Sequence, residues 1–224
     1  MKNDENVDNI IKSLEDRFKV IIPLLRKNAN LIISTPIVLG PIIGGSIVLL
    51  LINSVMYRYV ADIFDWWWIG DLSYYSISAI ITSFILIMLS QVVFILFGLG
   101  TIYMTKKVIM NQDYSIQDSV EFVSNNLINL AVISFIGQFF ILTYLLIPLG
   151  ILILVVGVVN NGDLTRTIRD SIEFFRENPF DMIILSAAWL LSRVILVQVP
   201  SVLFIAMIPD LIIGFTVLDI YISK

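Results

Sequence analysis

Two ionisable residues stand where ionisable residues are expensive. Arg193 and Asp210 lie in Phe180–Ile222, a run of 43 positions whose other charges are Asp181 and Asp219 alone. A charge inside hydrocarbon must be paired, hydrated or neutralised, so it marks a candidate functional site. If this run folds back on itself, Arg193 falls toward the outer end of one helix and Asp210 in the middle of the next. They could then meet as an ion pair or line a transport path. The plainer expectation is that Arg193 snorkels to the outer interface, while Asp210 sits hydrated or protonated at a helix break made by Pro209. Asp219 is expected to be merely interfacial. Gln91 and Gln138 also fall in apolar runs, where a hydrogen bond across helices is a commoner role than lining a polar path. Gly40 and Gly44 have the small-xxx-small spacing that lets helices approach closely, and Pro41 between them adds a kink. A broken helix lining a substrate site is the alternative for that segment.

The other candidates read as anchors and loops. Trp66, Trp67 and Trp68, with Tyr57, Tyr59, Tyr74 and Tyr75, bracket a polar connection, as aromatic residues do at a membrane–water boundary. Asp62, Asp65 and Asp71 share that connection, but their spacing is not that of a calcium loop. The chain has no histidine and no cysteine. It therefore lacks the commonest general base, a thiol nucleophile and the usual transition-metal ligands. There is no Walker loop, no nucleophile elbow and no dinucleotide fingerprint. No catalytic, cofactor-binding or metal residue is expected, and the chain is expected not to be an enzyme. A net charge of -4 and a pI near 4.7 speak against nucleic acid.

What must position these residues is a membrane. The 224 residues are 58% hydrophobic and 14% charged, with a mean hydropathy of +0.93. A globular core cannot hide that much apolar surface, whereas a bilayer makes the outside apolar too. The apolar runs are continuous, not alternating, which predicts helices and not a β-barrel. Ala29–Met56 and Ser76–Met104 each read as one span, and Phe180–Ile222 as two, joined near Val199–Pro200. Leu127–Val159, 33 positions without a charge, is long for one span and short for two. As a hairpin turning near Pro148 and Gly150, it puts 12 of the 14 basic residues on one side of the membrane. The positive-inside rule favours that arrangement. The expectation is six spans with both termini cytoplasmic in the cell membrane; five is the alternative. Met1–Asn9 is acidic and shows no cleavable signal pattern.

The polar segments between spans are patterned as well. Val7, Ile10, Ile11, Leu14, Phe18, Ile21 and Leu25 recur at helical spacing. So do Ile116, Val120 and Val123, and Leu164, Ile168, Ile172 and Phe175. Each set predicts an amphipathic helix, either lying in the interface or packing on the protein itself. Ser115 with Asp118, and Asp163, are predicted N-caps. Asp118-Ser-Val-Glu-Phe122 matches Asp170-Ser-Ile-Glu-Phe174, with Asn126 matching Asn178, and Leu24-Leu-Arg-Lys-Asn28 matches Phe174-Phe-Arg-Glu-Asn178. The chain thus reads as one all-α membrane domain, 1–224, of three units: 7–104, 115–160 and 164–223. Each is an amphipathic helix followed by a hairpin.

On Asp118–Asn126, Asp170–Asn178 and this layout, the chain resembles two prokaryotic six-span membrane families. One is the YciC-like inner-membrane proteins; the other is the membrane domain joined to some glycerophosphoryl diester phosphodiesterases. The phosphodiesterase domain itself has no counterpart here, so the resemblance implies a fold and no activity. The expected partners are the lipid bilayer and a membrane-protein partner or a second copy. The expected role is a non-catalytic scaffold or accessory protein, with a small transporter using Arg193 and Asp210 as the alternative.

Overall fold

The computed structural model describes the backbone of residues 2–52, 54, 77–142, 147–197 and 203–223, and the side chains of 11–52, 54, 81, 85–86, 88–141, 147–192 and 208–223. All the described elements are helical. They are α1 (Lys2–Ser34), a 3-10 turn (Pro36–Leu39) running into α2 (40–52), α3 (Ile77–Ile109), α4 (Ile116–Asn125) and α5 (Leu127–Leu142). Then follow α6 (Ile147–Val159), α7 (Leu164–Glu177), α8 (Pro179–Val197) and α9 (Leu203–Ile222). Among the described residues one helix segment, Met88–Ile109 in α3, is by itself long and apolar enough to cross a membrane. Ile11–Ser34 with Pro36–Ile52, and Ile116–Asn125 with Leu127–Ile141, qualify only as pairs, and they bend by 90° and 87° at their breaks.

Those bends correct one expected boundary. The run beginning at Ala29 is not one helix. The amphipathic helix continues to Ser34, the chain breaks at Thr35, and the apolar helix starts at Pro36. Proline fixes the break: it has no N–H to continue α1 and disfavours helical φ/ψ at Thr35. The 33-residue apolar run resolves as α5 and α6, packed antiparallel. Residues 143–146 between them lie outside the described residues, and Pro148 and Gly150, where a turn was expected, are inside α6. Gly150 does something else. A Cβ added there would lie 2.6 Å from the Gly137 carbonyl oxygen, so the two glycines are where the backbones of α5 and α6 meet. Gly157 against Ile133 continues the same contact. Where lipid rather than water surrounds helices, apolar burial drives association weakly, and close backbone approach takes over.

The same test revises the glycine pair of the first apolar helix. Gly40 meets Ile116 of α4, and Gly45 packs on Phe97 of α3, but nothing comes within 4 Å of a Cβ at Gly44. The contact spacing is therefore Gly40 and Gly45, not Gly40 and Gly44. α9 runs unbroken through Pro209, so Asp210 does not sit at a helix break.

Several hydroxyl side chains inside the bundle bond to their own helix. Ser46, Thr105, Ser186 and Thr216 each donate to the carbonyl four residues back. Thr101 Oγ1 accepts from the Ile42 N–H, which the start of α2 would otherwise leave orphaned.

Candidate functional site

One end of the bundle collects nearly all the polar chemistry described. α3 and α6 both end here in a left-handed asparagine, Asn111 and Asn161, each with φ 52°. In both, the next N–H reaches five residues back, Gln112 to Lys107 and Gly162 to Gly157, closing the helix C-terminus the same way. Gly162, at φ +81°, turns the chain beside Asn126. Lys106 Nζ donates to the Val159 carbonyl at 3.3 Å, tying the ends of α3 and α6 together.

α4 and α7 begin as their sequences predict. Ser115 Oγ accepts from the Asp118 N–H, and Asp163 Oδ1 from the Arg166 N–H. The ends of α4 and α7, and Asn28 within α1, share a device that sequence reading placed but did not explain. Asn28, Asn126 and Asn178 each donate Nδ2 to the carbonyl four residues earlier, at 3.0, 2.9 and 3.0 Å. Asn28 also reaches Thr216 Oγ1 on α9 at 3.3 Å. At Asn126 and Asn178 the same carbonyl also takes the backbone N–H, so both donors of the residue close the last turn.

Each amphipathic helix is pinned by its acids or bases. Asp118 receives Lys107 Nζ at 2.8 Å, and Phe122 stacks on Tyr103 with centroids 4.2 Å apart. The Lys107 ammonium, with the Ser115 cap, holds the Asp118 carboxyl below the usual carboxylate range. Asp170, at the position matching Asp118, receives Asn160 at 3.0 Å and lies beside Arg166 and Arg169. Partial desolvation opposes its ionisation, but the Asn160 and Arg169 hydrogen bonds and the two guanidinium charges outweigh that, and its carboxyl too is lowered. A carboxyl depressed in the folded state stabilises above its unfolded pKa, and that contribution is lost as pH falls through the folded value. The attachment of α4 to α3 should therefore be constant through neutral pH and loosen below about pH 4. Distances between spin labels on the two helices at pH 7 and pH 3 would show it. Asp118→Asn should flatten the response; an unchanged response in that variant would refute the assignment.

α1 is held by two acids on α8 and α9. Lys27 Nζ lies 2.7 Å from Asp219, and Arg17 Nε 3.6 Å from Asp181; both carboxylates are buried and both cations are half in solvent. Asp219 is thus a buried structural partner of α1 and not a plain interfacial residue. Sequence reading missed both pairs, since partners as far apart as Lys27 and Asp219, 192 residues, have no local pattern.

The remaining sequence candidates are scattered. Asp210 lines a cavity of about 180 Å³ between α2, α3, α5, α6, α8 and α9, whose other walls include Leu99, Ile102, Leu154 and Trp189. Gln91 is half-buried on α3. Gln138 is buried, and its Oε1 meets no donor among the described residues, so the expected interhelical bond is not made through that atom. The Arg193 side chain lies outside the described residues, as do Trp66, Trp67, Trp68 and Asp62, Asp65 and Asp71. Among the described residues no group of three or more acids is placed to hold a metal ion. No family model, no curated protein and no solved structure matches this chain.

Proposed function

We propose that this chain is a polytopic membrane protein of six short helices in three hairpins, both termini cytoplasmic, acting as a non-catalytic scaffold for lipid or a membrane partner. One observation carries the reading. The upright helices turn apolar stripes outward at helical spacing: Ile43 and Ile47 on α2, Ile128, Val132, Phe135 and Phe139 on α5, Ile183 and Leu190 on α8. Serines, threonines and Gln138 face inward. Water would penalise that arrangement and a bilayer rewards it. Basic residues at one end of the bundle, Lys27, Lys106, Lys107, Arg166 and Arg169, support the orientation.

The chain has no cysteine, so single introduced thiols report topology directly. Glu121→Cys and Arg169→Cys should react with impermeant reagent only from the cytoplasmic side. Reaction from opposite sides would overturn the six-span arrangement. For the scaffold role, scrambling Leu164–Glu177 should alter co-purifying lipids or proteins; unchanged co-purification would count against it.

The cavity at Asp210 supports a second reading, a small transporter with a polar path. Its walls are otherwise almost wholly apolar, which suits an apolar ligand better than an ion. Unchanged flux in reconstituted Asp210→Asn would end that reading.

A further inference from the structure

The amphipathic helices spend only part of their apolar faces on the protein. In α7 the residues that pack are Thr167, Ser171 and Phe174, with Asn178 closing the helix. The hydrophobic residues follow them one position later: Ile168, Ile172 and Phe175, of which Ile172 is 47% exposed. α4 repeats the arrangement. Ser119 and Phe122 pack, and Val120 and Val123 come next, Val120 being 57% exposed. In α1, Ile21 and Ile32 are buried, and Ile22 and Ile33 beside them are 58% and 78% exposed. One residue is about 100° around a helix. All three helices therefore carry a partly open apolar stripe a quarter turn from the packed one, offset in the same rotational sense, with Val123 and Phe175 at its edge against the core.

These stripes lead into the outward faces of the upright helices. Leu127 continues the α4 stripe and is followed by Ile128, 79% exposed, where the chain turns by 87° into α5. Ile33 leads through Ile37 to Ile43 across the 90° turn into α2. A flat helix and an upright helix thus share one L-shaped apolar surface. A bilayer leaflet fits that shape, since its acyl region lies both beneath the flat helix and beside the upright one. The remaining faces of α1 and α7 mix Lys12, Glu15, Asp16 and Lys19, and Arg169, Glu173 and Arg176, without the dense basic charge of an anionic-lipid sensor.

We propose that α1, α4 and α7 form a ring seated at one depth in one leaflet, binding the acyl–headgroup boundary of phospholipid without need of anionic headgroups. The inference rests on the six-span reading and deepens it. The test uses the full chain with single spin-labelled cysteines, in phosphatidylcholine vesicles with and without phosphatidylglycerol. Labels at Phe18, Val120 and Ile172 probe the ring, Lys19, Glu121 and Glu173 its polar side, and Ile47 and Phe135 the upright helices. The oxygen-to-nickel accessibility ratio at the ring positions should exceed that at their polar neighbours by roughly threefold, at a common shallow depth in both vesicles. Ring labels in water, with Ile47 and Phe135 in lipid, would overturn the ring and leave the spans standing. Water at Ile47 and Phe135 as well would overturn both. Ring labels shielded only at high protein-to-lipid ratio would assign the stripes to a second copy, and immersion only with phosphatidylglycerol would refute the charge independence; either defeats the proposal.

Discussion

Gly150→Ala should destabilise the protein by about 2–3 kcal/mol, although alanine is the better helix former by up to about 1 kcal/mol. The added methyl would lie 2.6 Å from the Gly137 carbonyl oxygen and 3.0 Å from the Ile141 nitrogen. Both are backbone atoms, so no rotamer change relieves the contact, and α5 and α6 must separate. Separation loses the dispersion contacts that hold helices together where lipid replaces water. Gly44→Ala is the matched control. Nothing lies within 4 Å of its new methyl, so it should be neutral or gain about 0.5 kcal/mol from helix propensity. Equilibrium unfolding in mixed micelles, followed by circular dichroism, compares the two. Equal effects would mean that the α5–α6 contact is not the close one described.

Lys27→Ala should cost about 2 kcal/mol. It leaves Asp219, whose side chain is 5% exposed, as a buried carboxylate without its ammonium partner. A fully buried pair would cost more on losing one member; Lys27, 56% exposed, keeps part of its solvation and lessens the effect. The double variant Lys27→Met with Asp219→Leu should recover most of the loss, because apolar replacement of both partners removes the desolvation penalty along with the attraction. If the double variant is as unstable as Lys27→Ala, the pair is not the cause.

Much of the fold was legible because it is written in local patterns. The amphipathic helices and the Ser115 and Asp163 caps follow from spacing and composition over a turn or two, while the joint expected near Val199–Pro200 lies outside the described residues. The bend at Thr35 was legible too, in Pro36, but the run of apolar residues from Ala29 onward masks it. Hydropathy does not distinguish a residue lying flat from one standing upright. The apolar faces were harder. Ile168 and Ile172 signal burial by composition, yet Thr167 and Ser171 are the residues that pack. Small residues win that place because they bring helices close, and Thr167 also bonds back to the Asp163 carbonyl. Of the candidate site, Asp210 was found by its cost in hydrocarbon. Arg17–Asp181 and Lys27–Asp219 were not, since contacts across the length of a chain depend on topology and not on spacing.

The grip of Lys27 and Asn28 on α9 also orders the making of the molecule. α1 leaves the ribosome before α9, and Thr216 and Asp219 emerge 188 and 192 residues after their partners. Until then Asn28 has only its own helix to bond. α1 thus waits while the helices between them are made, and α9 completes its binding site.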